Sequence, residues 1–148
     1  MSRLARFHAA QKDSHRAALA ELTAGRKESH WMWFVFPQLR GLGSSPTAQH
    51  YGLADLDEAR EFLGDPDLRA RLDACAAAVL GHAGTRPEAI LGPVDALKLR
   101  SSATLFALAG EGSETGERMQ AILDGFYAGE PCPLTLKLLE RETTPGAH

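Results

Sequence analysis

Cysteine, tyrosine, metal-binding patterns and long apolar runs are all scarce in this chain of 148 residues. Its two cysteines, Cys75 and Cys132, stand far apart among helix and proline signals, so neither a zinc ribbon nor a disulfide scaffold is indicated and reduced thiols are expected. The six histidines form no His-x-x-x-His pair, and no Cys-x-x-Cys accompanies them, so no metal site and no cofactor is expected. No apolar stretch approaches the roughly 18–20 residues of a membrane span, and Met1 to Gln11 lack the apolar centre of a signal peptide. The expectation is a cytoplasmic protein with no membrane partner. A basic stripe is missing too: the net charge is −3 and the pI near 6.1, which argues against a nucleic-acid partner. Residues 1–30 hold six Lys/Arg against three Asp/Glu, a small local excess.

What is present is apolar content of 44%, enough at this length for one domain that buries a core without staples. The expected organisation is a helical domain over residues 1–142 with a loose tail over 143–148. The chain is organised around Ser29 to Ser45, which contains both tryptophans and then breaks into a glycine loop, Gly41-Leu42-Gly43-Ser44-Ser45. Six apolar residues in a row, Trp31 to Phe36, belong in a core or a pocket wall, since each gains roughly 1.5–3 kcal/mol on full burial. As a strand this run has no partner of matching alternation elsewhere. As a short helix it has Ser29 as N-cap and is stopped by Pro37.

The remainder reads as helix. Leu4, Phe7, Ala10, Ala18, Leu19 and Leu22 recur at helical spacing over 3–24, with Gly25 as the stop. Ser45-Pro46 and Asp65-Pro66 pair a cap with a first-position proline, and Asp55 opens a further helix that ends at Gly64. Thr85 with Glu88 has capping-box spacing for a short helix closed by Gly92. Helices follow over about 94–109, around Met119 to Phe126, and over about 134–141. The prediction is an irregular all-α domain of eight or nine helices, several of them short.

The run His30 to Leu39, then Gly41-Leu42-Gly43, Tyr51-Gly52, Lys98-Leu99 and Ser101-Ser102-Ala103-Thr104-Leu105-Phe106 resemble, in the same order, blocks of an uncharacterised bacterial family, domain of unknown function number 1810. The resemblance runs from about Phe7 to Leu139. It implies a small, mainly helical fold and brings no activity with it. A calpastatin label carried by some members does not suit this chain, because that inhibitor is disordered and aromatic-poor. Where an acidic residue is usual before the last helix, this chain has Pro131-Cys132-Pro133.

Three groups of residues carry candidate chemistry. Arg40 and the Gly41, Gly43, Ser44, Ser45 loop place donors before a helix start, suiting an anion, while an ordinary capped turn is the plain alternative. His30 offers an imidazole for proton transfer, Lys27 a charge, and Trp31, Trp33 and Tyr51 a stacking wall, the alternative being solid core. Lys98 lies one helical turn from Ser101 and Ser102, a spacing that permits an activated serine but equally close helix packing. The reading that joins them is a small anionic, nucleotide-like ligand held between the aromatic segment and the Ser101-Ser102 helix, with hydrolysis as a further step. In style the domain resembles, by loose analogy, NADAR-type N-glycosidases. The rival is a protein-interaction or structural domain without a small-molecule site. Oligomeric state is not legible.

Overall fold

The computed structural model describes residues 3–142, and the expected tail over 143–148 lies outside them. Among the described residues there are nine helices and no strand: α1 (Ala5–Ala24), α2 (Met32–Val35), α3 (Pro46–Tyr51), α4 (Leu56–Gly64), α5 (Pro66–Leu80), α6 (Pro87–Leu91), α7 (Pro93–Ala109), α8 (Glu114–Phe126) and α9 (Pro133–Glu142). The fold is all-α.

Four of the helix starts follow from side chains that satisfy orphan N–H groups. Ser45 accepts from Ala48 N–H, Asp55 from Glu58 N–H, Asp65 from both Asp67 and Leu68 N–H, and Ser113 from Gly116 N–H. α1 ends on Gly25 at φ +80°, a left-handed position suited to glycine. Two expected caps are corrected. Ser29 does not cap α2, whose N-cap is Trp31 with no side-chain bond; the Ser29 hydroxyl goes to Glu21 instead. Thr85 does not cap α6 either, because Pro87 at the first helical position moves the N-cap to Arg86.

α7 is the central element, with α4, α6, α8 and α9 packed around it, while α1 and α5 pair and α5 also meets α8. That position explains why α7 is apolar on most of its circumference: Leu99, Ala103, Leu105 and Phe106 are buried together with Ser101, Ser102 and Thr104. The core is continuous from Phe7 and Leu22 through Trp31, Phe36 and Phe62 to Phe106 and Met119. Phe62 meets Phe7 edge-on at 5.2 Å between centroids and Phe106 at 5.2 Å, linking α1, α4 and α7 by aromatic contact.

The aromatic run forms a single turn of helix, then Pro37 ends it and the chain makes one parallel bridge, Leu39 to Leu53. Arg40 N–H donates to Leu53 C=O at 2.8 Å and Leu53 N–H to Gln38 C=O at 2.9 Å. These bonds close residues 38–53 into a loop carrying α3. A buried ion pair anchors its base: Arg6 contacts Glu58 at 3.1 Å and also donates to the Gly52 carbonyl.

The turn between α7 and α8 is as tight as glycine allows. A Cβ on Gly116 would stand 2.1 Å from the Gly110 carbonyl oxygen, whereas one on Gly125, further along α8, meets nothing within 4 Å. Gly116→Ala is therefore expected to lower unfolding free energy by about 1–3 kcal/mol. Gly125→Ala should raise it by roughly 0.5 kcal/mol through helix propensity. Urea unfolding of the two variants against the parent chain checks both signs.

Candidate functional site

A cleft of about 580 Å³ opens between the glycine loop, the outer face of α7 and the start of α9. Trp33, Gln38, Gly43, Ser44 and Ser45 line one side. Lys98 and Ser101 of α7 face them, and Cys132 with Leu134 closes the end. The volume lies within the ordinary range of small-molecule sites.

The orientation of the aromatic turn is set by Glu21, near the end of α1. Its carboxylate accepts from Glu28 N–H at 2.7 Å, Ser29 N–H at 2.9 Å, the Ser29 hydroxyl, and Trp31 Nε1–H at 2.9 Å. Partial burial pushes the Glu21 carboxyl up, but these donors from Ser29, Glu28 and Trp31 outweigh it and hold the group down at about 2. Bound this way, Trp31 points inward and is 1% exposed. Two residues further round the single turn, Trp33 is half-buried and forms cleft wall.

The charged side chains of the wall are Lys98 and Arg100 of α7; Arg100 is engaged by Glu130, and Lys98 is coupled through Asp95 to Lys27. Asp95, in the first turn of α7, contacts Lys27 Nζ at 2.9 Å and Lys98 Nζ at 3.4 Å, so two ammonium groups share one carboxylate. Lys27 is held in place from behind by its own N–H, which donates to Ile90 C=O at 2.8 Å. Lys98 Nζ also sits 4.6 Å from the Trp33 ring centroid, a cation–π contact on the wall. Below Trp33 and Lys98 is a crevice of about 10 Å³, lined by Met32, Phe36 and Tyr51 as well. That is room for about one water molecule.

Of the residues singled out from sequence, the cleft brings together Trp33, Gly43, Ser44, Ser45, Lys98 and Ser101, with Lys27 joined to them through Asp95. Others lie elsewhere. Trp31 cannot stack on a ligand, because it is enclosed in the core with Lys27 Nζ 5.2 Å from its ring. Arg40 is exposed and donates to the Gln49 and Gly52 carbonyls, closing the end of α3 rather than facing an anion in the cleft. His30 is exposed and outside the cleft lining, and Gly41 belongs to a separate groove with Lys137 and Arg141. Ser102 is fully buried on the far side of α7. Tyr51 packs against Phe7 and Phe34 and reaches the crevice rather than the cleft.

The loop itself is an ordinary capped turn in its hydrogen bonding. Ser45 Oγ accepts from Ala48 N–H at 3.1 Å and the Ser44 carbonyl accepts from the Gln49 side chain. Gly43 is there for space, since a Cβ on it would stand 2.7 Å from Ala48 Cβ. The loop thus brings no charged group to the cleft, and the cations of the lining are Lys98 and Arg100 of α7.

Sequence reasoning passed over Glu21 and Asp95, gave Gln38 no role of its own, and noted Cys132 only as a reduced thiol and as a departure from the family pattern. The cap position of Cys132, one residue before Pro133, was the available signal. It also left apart His8, Asp65 and Asp67, whose ligand atoms lie within 4.8 Å of one another. That group is remote from the cleft lining, and Asp65 is engaged as the α5 cap and by His8 at 2.6 Å.

The family described as protein of unknown function (DUF1810) matches residues 1–139. The crystal structure of the conserved hypothetical protein Rv1873 from Mycobacterium tuberculosis is similar, at 47% identity and a TM-score of 0.88, over 93% of this chain and 96% of that one. No curated protein matches the sequence.

Because Glu21 is ionised in the fold well below its ordinary value, it contributes stability that is fully present above about pH 4.5. That contribution is lost as pH falls toward about 2. Glu21→Gln is expected to be less stable than the parent at pH 7, with the difference shrinking through that acid window. Equilibrium urea unfolding at a series of pH values between 7 and 2 measures it.

Proposed function

The chain belongs to the DUF1810 family, whose description assigns no activity, and we propose that it binds a small anionic molecule with an apolar or aromatic body in the cleft beside Trp33. The observation that carries this reading is the shared carboxylate. Lys98, which lines the cleft, shares Asp95 with Lys27, which leaves an excess positive charge beside the cleft wall, and the Lys27 and Lys98 side chains are only 10% and 21% exposed. A partly desolvated ammonium attracts an anion more strongly than one in open water. Since Asp95 is nearer to Lys27 than to Lys98, Lys98 is the one free to turn to a ligand.

The rest of the lining suits the body of such a molecule. Trp33, Leu42, Val94, Leu97 and Leu134 supply apolar contact, while Ser44, Ser45, Gln38 and Ser101 supply polar groups at the edge. Nucleotides are among the compounds of that chemistry. The Trp33 face is partly taken by Lys98, so an entering ring displaces the ammonium toward the anion it carries. Proton transfer by His30 is not part of this reading, as the imidazole is outside the cleft lining.

A second reading, a domain that docks a protein partner, is favoured by the cleft rim, where Val94, Leu97 and Leu134 are 66%, 64% and 63% exposed. A thermal-shift screen separates the two. The probes are AMP, ADP-ribose, phenyl phosphate, benzoate and inorganic phosphate. A probe at about 100 times its dissociation constant adds about 2.7 kcal/mol, or roughly 5–10 °C for a chain of this size. An aromatic anion is expected to give that shift, Lys98→Met and Trp33→Ala to remove it, and His30→Ala to leave it intact. If no probe moves the melting temperature, or Lys98→Met responds like the parent, the small-molecule reading fails. The partner reading then predicts that Leu97→Glu reduces any association seen by light scattering.

A further inference from the structure

The inner end of the cleft is made by Cys132, which is the N-cap of α9 and has Pro133 at the first helical position. Its sulfur is surrounded by donors. Ser101 Oγ, 93% buried, lies 3.3 Å from Sγ, and the Leu134 and Thr135 N–H groups of the first turn point at it. Thr135 Oγ1 faces the same sulfur from a fully buried position and makes no hydrogen bond within normal limits. A neutral thiol has no use for so many donors, and the thiolate has a use for all of them. The Ser101 hydroxyl has a single proton, and its other acceptor is Leu97 C=O at 3.2 Å, so it turns to the sulfur when the charge is there.

The turn is fixed to α7 as well. Cys132 N–H donates to Thr104 Oγ1 at 2.8 Å, Thr104 Oγ1 donates to Arg100 C=O at 2.8 Å, and Arg100 Nε donates to Glu130 C=O at 3.0 Å. Lys98, one turn before Ser101 on the same face of α7, adds a cation to the same cleft. Partial burial pushes the Cys132 thiol up, but Ser101, Thr135 and the Leu134 and Thr135 N–H groups outweigh it and hold it below its ordinary value. Both thiols are buried, but Cys132 is 9% exposed and lines the cleft, whereas Cys75 is fully enclosed between helices, where burial alone pushes it up to about 12.

We propose that Cys132 is the reactive centre of this cleft, a thiolate that exchanges with small disulfides bearing an anionic group. Cys132 Sγ attacks one sulfur of the disulfide and the original S–S bond breaks. A mixed disulfide forms on Cys132, and the other half leaves as a thiolate that takes a proton from solvent. Cys132 is oxidised and one half of the small disulfide is reduced, so no further oxidant is required. The preference for an anionic disulfide rests on the ligand reading above, while the reactivity of the thiol does not.

Three probes on the full chain separate those two statements. With neutral 4,4′-dithiodipyridine the native protein is expected to release one equivalent of thiopyridone per chain, with a pH midpoint below the roughly 8.5 of a free cysteine. Cys75→Ser should leave this unchanged and Cys132→Ser should abolish it. Peptide mapping of the labelled parent chain places the label whether or not the Cys132 variant folds. Dithiobis(nitrobenzoate), an aromatic anion, should react faster than cationic cystamine, and Lys98→Met should slow it roughly tenfold while sparing the neutral probe. If the native chain reacts only after unfolding, if the label maps to Cys75, or if the midpoint is at or above 8.5, the reactive-centre proposal is overturned. If Cys132 reacts as expected but without preference for the anionic probe, the reactive-centre assignment stands, and the anionic preference fails together with the ligand reading it rests on.

Discussion

A single carboxylate decides which side of the aromatic turn becomes interior. Glu21 gathers two backbone N–H groups, a hydroxyl and an indole N–H, and all four come from residues 28–31. Charge-assisted bonds of this kind are roughly twice as strong as neutral ones, and four on one group fix its neighbours in direction as well as distance. Once Trp31 is tied to the end of α1, the geometry of one helical turn leaves Trp33 on a different face. The core gains one indole and the surface keeps the other as a wall.

The second constraint is the crowding around α7. Because four helices pack on it, most of its circumference is interior: Ser101 is turned to the cleft, Thr104 is satisfied locally, and the Ser102 hydroxyl is buried without a hydrogen-bond partner. Thr104 bonds back to Arg100 C=O and receives Cys132 N–H, so one buried hydroxyl joins the helix to the turn that starts α9. The register of α7 thereby sets Asp95, Lys98 and Ser101 along one edge, opposite Trp33. Charge, sulfur and indole come to a common space through elements that are far apart in sequence.

The helix starts were readable because capping is local: Ser45, Asp55 and Asp65 each bond an N–H two or three residues ahead. Ser29 and Thr85 have the same residue types but not the same outcome. The Ser29 hydroxyl donates to a carboxylate from α1 and caps no N–H of α2, and Pro87 shifts the start of α6 by a residue. The direction of the two tryptophans was not readable, since a four-residue helix has too little periodicity to define a buried face and the decision comes from Glu21. Ser101 and Ser102 differ for a related reason. Adjacent helical residues point about 100° apart, so only one of the pair can reach the cleft. Asp95 was missed because its partners, Lys27 and Lys98, converge on it from two segments. Arg40 was readable as a multiple donor, but its acceptors turn out to be carbonyls of the loop it closes.

The account depends on one indole being structural and the other being cleft wall. Hydrogen exchange and chemical shift of the two indole N–H groups, followed by NMR on the native chain during addition of phenyl phosphate, test that division directly. The Trp31 signal is expected to be strongly protected and unmoved, while the Trp33 signal exchanges faster and shifts to saturation. Equal protection of both, or a saturable shift of Trp31 with none at Trp33, would contradict it.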